Sequence, residues 1–416
     1  MAGPFPSPDA NFVKPDMAAV KLGQLLFYDP ILSGNQTVSC ATCHHPRFAT
    51  SDGVSLGLGD GGIGIGPDRR ADPENLPEQR IPRHSPALFN LGAAEFKVFF
   101  HDGRLEADPT RVSGIRTPLG EDMEHGFDGP LAAQTMFPVL SADEMAGHYS
   151  ENDVAQAVRQ GRLTGQGGAW DILSKRVEAI PAYRTAFSDV IGDRPIAFTD
   201  ISNVIADFVA FEWRADDSAF DRFLRGQGVL EPQARSGADL FYGSAGCSSC
   251  HSGLFQTDHA FHAIAMPQVG PGKAARFESH ARDVGRMRVT GRAEDAYAFR
   301  TPPLRNVAAT APYGHSGAYA TLEGVIRHHA DPLGSLASYD PAQLLLPGFQ
   351  ANDFWVSETS GETDAIATAN TLQPAPLSDD DVSYLVAFLN SLTDRQSLDG
   401  RLGIPERVPS GLPIDR

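Results

Sequence analysis

A chain of 416 residues, 41% hydrophobic and 21% charged, has the composition of an ordinary globular protein and room for two or three domains of roughly 150 residues. Its formal net charge of -18 and pI near 5.1 withhold the cationic field that a phosphate backbone needs, which excludes nucleic acid as a partner. No apolar run approaches the roughly 18 residues of a membrane-spanning helix, and the start, Met1-Ala2-Gly3-Pro4-Phe5, has neither the basic nor the apolar region of an export signal.

Residues 1–15 are rich in proline and read as a polar arm. Asp16 can cap a helix over 17–27, which ends at Asp29-Pro30. A polar turn then leads into Cys40-Ala41-Thr42-Cys43-His44. Residues 53–66 carry seven glycines; without a Lys-Ser/Thr pair or a strand-to-helix context they make a poor phosphate cradle and read as a mobile loop. The spacing of Ser141 and Glu144 fits a capping box. Helices are expected over 152–162, 170–191 and 201–224, the last with Val204, Ile205, Phe208, Val209 and Phe211 at core spacing. A joint at Gly226-Gln227-Gly228 divides the chain into domains of 8–228 and 229–400, and a helix over 232–241 leads into Cys247-Ser248-Ser249-Cys250-His251. In a helix over 321–329, Leu322, Val325, Ile326 and His329 share an apolar face and His328 points away. An Asn/Ser/Thr-rich stretch near 351–375, a last helix over 378–392 and a polar tail follow.

The two Cys-x-x-Cys-His stretches use all four cysteines. In such a stretch two thiols can add across the vinyl groups of a haem while the adjacent histidine ligates its iron. A zinc site would want a second Cys-x-x-Cys or His-x-x-x-His close by, and neither pair has one. A redox Cys-x-x-Cys would not need the histidine. The chain therefore reads as a di-haem c-type protein: Cys40, Cys43 and His44 hold one covalent haem c, and Cys247, Cys250 and His251 hold the other. Covalent haem c is attached outside the bacterial cytoplasm, so a periplasmic location is expected, with an export signal absent from this numbering.

From "KLGQLLFYDPILSGNQTVSCATCHHP" through "IPRHSPALFNLG", "FFHDGR", "FPVLSADEMAG", "GADLFYGSAGCSSCHSG" and "FRTPPLRNVAATAPYGHSGAYATLEGVI", the chain resembles the bacterial di-haem cytochrome c peroxidases and their MauG-type relatives. The resemblance implies a mainly α fold of two cytochrome c-like haem domains with a cleft between them, and a di-haem peroxidase-type oxidoreductase activity. It implies that Glu144 moves the proton of peroxide at the first haem, while Gln134, ten residues earlier, holds peroxide or water by its amide. Many relatives plug that haem with a loop histidine; here none lies between His45 and His84, which implies a first haem ready without reductive activation.

Counting fourteen residues past His315 assigns His329 as the second ligand of the second haem, where relatives have methionine or tyrosine; Met266 and Met287 fall elsewhere. Bis-histidine ligation lowers a haem potential relative to methionine and favours the MauG-like branch. Where the family has a relay tryptophan before Asp-Gly-Arg, this chain has His101, readable as an inter-haem relay or as a hydrogen-bond donor to a propionate. A family calcium ion would take the carbonyl oxygens of Thr310 and Pro312, but His84 stands for the usual asparagine and calcium prefers hard oxygen. Ala245 replaces the surface tryptophan that MauG uses. The implied partners are hydrogen peroxide and a protein whose aromatic residue, a tryptophan above all, is oxidised. The alternative is a periplasmic peroxidase drawing electrons from a small cytochrome or cupredoxin to reduce peroxide to water. A non-enzymatic electron-transfer or haem-sensing module would need the first iron capped on both faces.

Overall fold

The computed structural model describes residues 8–274 and 278–416; the reading of Met1 to Phe5 as lacking an export signal lies outside them. The first half carries α1 (Met17–Tyr28), α2 (Cys40–Cys43), α3 (Pro130–Thr135), α4 (Asp153–Arg159), α5 (Ala169–Glu178), α6 (Pro181–Ile191), α7 (Phe198–Glu212) and α8 (Ala219–Leu224). The second carries α9 (Pro232–Phe241), α10 (Met287–Thr290), α11 (Leu322–Ala330), α12 (Pro332–Ala337), α13 (Trp355–Glu358), α14 (Glu362–Ala369), α15 (Asp379–Ser391) and α16 (Arg395–Asp399). Strands are short antiparallel pieces: β1 (Gly62–Ile63) with β2 (Arg70–Ala71), then β3 (Val98–Phe99), β4 (Leu105–Ala107) and β5 (Ile115–Arg116) in that order, and β6 (Phe261–His262) with β7 (Phe299–Arg300). The fold is mainly α, as expected, and among the described residues no helix is long and apolar enough to cross a membrane.

Local chemistry sets the helix ends. The Asp16 side chain accepts from Ala18 N at 2.9 Å and starts α1. The helix expected over 170–191 is two helices, because Pro181 opens α6 and bars the residue before it from the helical region. The one expected over 201–224 breaks at Trp213. There the Asn90 side chain accepts from Ala215 N at 2.8 Å and donates to Ala215 O at 2.9 Å, and Ser218 with Asp221 caps α8 anew. The Asn/Ser/Thr-rich stretch contains α13 and α14, closed over a small cluster of Ala265, Leu336, Val356 and Ile366.

The main cores repeat one device. In the first, Gly23 of α1 lets the helix approach the backbone of α7 so closely that a Cβ would lie 1.8 Å from Val204 O. In the second, Gly237 of α9 does the same against Tyr384 O of α15, at 1.9 Å. Each glycine is followed by an aromatic cluster: Phe27 stands 5.3 Å from Phe208 and 5.0 Å from Trp213, and Phe241 stands 5.0 Å from Phe388. Burying one such ring contributes roughly 1.5–3 kcal/mol. Each glycine-bearing helix then delivers the chain to a Cys-x-x-Cys-His stretch.

The tail read as polar is instead a strap on the first core. Ile404, Val408, Leu412 and Ile414 pack there, spaced by proline and glycine so that no period shows. Glu212 accepts the N–H groups of Leu402 and Gly403 at 2.7 and 2.8 Å, and Ser410 Oγ donates to Asp29 at 2.7 Å. Thr42, inside the first motif, donates to Asp415 at 2.6 Å.

Buried charge joins the two halves. Arg83 donates to Asp283 at 2.6 and 2.8 Å and pairs with Asp102 at 2.7 Å, while Arg80 pairs with Asp353 at 2.9 Å and donates to the carbonyls of Pro347 and Phe349, both at 2.8 Å.

Candidate haem sites and peroxide pocket

The one-turn helix α2 puts Cys40 and Cys43 three residues apart, hence on one side of the turn, and Ser39 N donates to Thr42 Oγ1 at 3.0 Å to start it. All four thiols are free. Burial pushes Cys40 and Cys43 up to about 12 and Cys247 up to about 11. Thiols so reluctant to ionise are poor nucleophiles for a redox centre. They are compatible with thioether attachment of a haem.

The histidines are oriented from behind. His44 Nδ1 lies 3.0 Å from Thr50 O, His251 Nδ1 lies 3.0 Å from Gln256 O, and His329 Nδ1 lies 2.8 Å from Val325 O. A ring nitrogen tied to a carbonyl fixes the tautomer and leaves Nε2 as the ligating atom. His251 and His329 face each other with centroids 6.4 Å apart. Two imidazoles on opposite sides of one metal ion, about 2 Å from it, would have centroids roughly 6.4 Å apart. The residues therefore fit an iron held between them.

His328 does not point away. It is fully buried, hydrogen-bonded by Nδ1 to Tyr319 Oη at 2.9 Å and by Nε2 to Ile264 O at 2.7 Å. The helix α11 is covered on two sides, so a reading with one apolar face underestimates it. Both ring nitrogens of His328 are engaged, which leaves His329 as the free imidazole of the pair.

Glu144 sits in a single π-helical turn, residues 142–146, closed by Ala146 N donating to Ser141 O at 2.9 Å. Such turns concentrate at functional sites. The capping box does not form: Ser141 makes no side-chain cap and instead hydrogen-bonds the Glu144 carboxylate. Burial raises the Glu144 pKa, and the positive charges of Lys273 and Arg104 pull against it. Burial in turn holds Lys273 down to about 8. Neither cation was legible as a site residue, since Lys273 arrives from the second half of the chain and Arg104 from the β3–β4 turn. Gln134, near the end of α3, is half-buried.

The glycine-rich segment is no exposed flap. Val54, Leu56 and Leu58 are buried, Ser55 donates to Gly317 O at 2.7 Å, and the Arg69 guanidinium grips the carbonyls of Leu58, Gly59 and Gly64. Gly59 packs directly on the backbone of Asp143 and Glu144, and Asp60 N donates to Glu144 O at 3.0 Å. Glycine here serves close approach rather than motion.

His101 lies on the turn between β3 and β4, where its carbonyl accepts from Arg300 N at 2.8 Å. Burial, then the charge of Arg83, holds its pKa well below the usual range, so the ring is neutral. Beside it His315 stacks on Phe299 at 3.7 Å. At the calcium position, His84 Nδ1 donates to Val54 O at 2.9 Å and its Nε2 lies 3.4 Å from Ser51 Oγ. An imidazole so engaged supplies no hard oxygen, and the set of His84, Thr310 and Pro312 does not fit calcium.

Residues 17–228 match the sequence profile of a family described as "Di-haem cytochrome c peroxidase". The methylamine utilization protein MauG of Methylorubrum extorquens is 30% identical over 329 residues, covering 78% of this chain and 71% of the relative. Cytochrome c551 peroxidase of Pseudomonas aeruginosa is 28% identical over 380 residues, 90% of this chain and 79% of the relative. Among solved structures, "a MauG-like protein associated with microbial copper homeostasis" superposes with a TM-score of 0.60 at 25% identity over 96% of both chains.

Proposed function

The chain belongs to the di-haem cytochrome c peroxidase family, and we propose that within it this protein is a MauG-like, hydrogen-peroxide-dependent enzyme that oxidises an aromatic residue, a tryptophan above all, of a partner protein in the periplasm. Two covalent haem c groups would be held by Cys40, Cys43 and His44 and by Cys247, Cys250, His251 and His329. The observation that carries this reading is His329 facing His251 at imidazole–metal–imidazole spacing. A nitrogen ligand in place of methionine lowers the potential of the second haem. Such a haem is a poorer acceptor from small donor proteins and a better store of an oxidising equivalent.

When bound, the first haem supplies the iron at which the oxygen–oxygen bond of peroxide is cleaved. The Glu144 carboxylate takes the proton of the near oxygen and returns it to the far one, which leaves as water. Its buried setting strengthens its hold on the proton, while Lys273 and Arg104 keep the ionised form accessible. Gln134 orients peroxide by its amide, and the Gly59-Asp60 backbone holds the turn that carries Glu144 in place. His101, held neutral by burial, would donate a hydrogen bond or relay charge between the two haems.

The second reading, a peroxidase drawing electrons from a small cytochrome or cupredoxin, is favoured by the likeness to cytochrome c551 peroxidase along most of the chain. Electron paramagnetic resonance of the ferric protein, before and after one equivalent of peroxide without reductant, separates the two. One high-spin and one bis-histidine low-spin signal, both lost at once, is the expected result. Two low-spin signals that ignore peroxide until the protein is half reduced would replace the first reading by the second.

A further inference from the structure

Glu78, Asp143 and His148 come together next to the turn that carries Glu144, and the haem sites use none of them. One oxygen of each carboxylate and a ring nitrogen all lie within 4.8 Å of one another. His148 is only 3% exposed, and neither of its ring nitrogens makes a hydrogen bond among the described residues. A buried imidazole in that condition is costly unless something else engages it. Its Nδ1 stands 3.5 Å from Glu78 Oε2. Two ligands about 2.0–2.2 Å from a tetrahedral metal ion stand roughly 3.4 Å apart, so this pair already has the edge of a coordination polyhedron.

The surroundings are built to hold the three groups. Gln79 Nε2 donates to Asp143 Oδ2 at 2.7 Å, the kind of support that orients a ligating carboxylate. The backbone N of His148 donates to Glu151 at 2.8 Å, and Glu151 also accepts from Asn35 at 2.6 Å. Glu78 also lines an open cleft of about 360 Å³ together with Arg80, His280, Asp353 and Trp355, so one member of the cluster reaches solvent.

We propose that Glu78, Asp143 and His148 bind one divalent transition-metal ion of the zinc type. Two carboxylates neutralise a dication, and the imidazole selects a borderline ion over calcium, which prefers oxygen alone. The ion would tie the segment after the glycine-rich stretch to Asp143, one residue from Glu144. Binding itself is independent of the role given to Glu144.

The test uses the haem-loaded protein, stripped of loose metal with a chelator and titrated with Zn2+ by calorimetry, with bound metal counted by elemental analysis. The wild type is expected to bind one more Zn2+ than His148→Gln and Glu78→Gln, or to bind it at least about tenfold more tightly. Excess Ca2+ should leave that ion in place. Equal zinc stoichiometry and affinity in wild type and Glu78→Gln would overturn the proposal, as would displacement by calcium. Glu78 is at the cleft edge with a side chain 20% exposed, so its variant remains informative if His148→Gln fails to fold.

Discussion

Replacing Gly59 by alanine tests whether the glycine-rich segment positions Glu144. A Cβ at residue 59 would lie 2.3 Å from Asp143 O, 2.5 Å from Glu144 O and 2.7 Å from Glu144 Cα. Ordinary contact begins near 3.5 Å, so the two segments must part by about 1 Å, and backbone atoms cannot rotate aside as a side chain would. Overpacking of this kind costs about 1–3 kcal/mol, and weakening the Asp60–Glu144 hydrogen bond adds about 1 kcal/mol. A 1 Å misplacement of a reacting group costs up to about 10²-fold in rate. Stopped-flow absorbance with stoichiometric peroxide should therefore show the reaction slowed by about 10- to 100-fold, with the thermal midpoint lowered by a few degrees and haem content unchanged. Gly129→Ala is the control, since nothing lies within 4 Å of a Cβ there. A Gly59→Ala protein that unfolds earlier but reacts at the wild-type rate would refute the link between this segment and the chemistry of Glu144.

Glu144→Gln removes the proton carrier and should slow the peroxide reaction by about 10²–10⁴-fold without loss of haem, checked by the same assay. His329→Met should raise the potential of the second haem, by a tenth or more of the roughly 0.8 V that axial ligation spans, in a spectroelectrochemical titration. Arg83→Met leaves Asp283 buried without its cation and Asp102 with Arg104 alone, and should cost about 3–5 kcal/mol in denaturant unfolding. Against burial, Arg83 holds Asp283 down to about 2. The pair's contribution is therefore complete above the unfolded value of about 3.9 and is lost as pH falls through about 2. Lys273 adds a second window, in the alkaline range: burial depresses it to about 8, so the folded chain sheds its proton before the unfolded chain does at about 10.4. Stability should rise with pH across that window, and Lys273→Met should flatten the rise.

Covalent attachment chemistry needs its residues adjacent in the chain, which is why both Cys-x-x-Cys-His stretches could be read at once as candidate haem sites. Helical spacing is equally local: it marked Leu322 and Ile326 as inward and directed attention to the ring that faces His251. His328 was misread because spacing reports one buried face and knows nothing of a second neighbour. The break at Pro181 was written in the sequence and overrun by apolar periodicity on both sides of it. The glycine-rich segment looked mobile because composition alone cannot distinguish glycine chosen for freedom from glycine chosen for contact. Arg69 and Lys273 were out of reach for a different reason: a guanidinium folded back on three carbonyls and an ammonium brought across from the other half exist only in tertiary structure.

The strap over the first core sets an order of events during synthesis. Thr42 meets Asp415 across a separation of 373 residues, and Asp29 waits longer still, across 381, for Ser410. As the chain emerges, the stretch from Cys40 to His44 stands without this cover, open to whatever enzyme or cofactor reaches it. Only after the second motif and its helices have been made can the strap return and close over the first. The first core is thus closed only after the residues that separate Thr42 from Asp415 have been made.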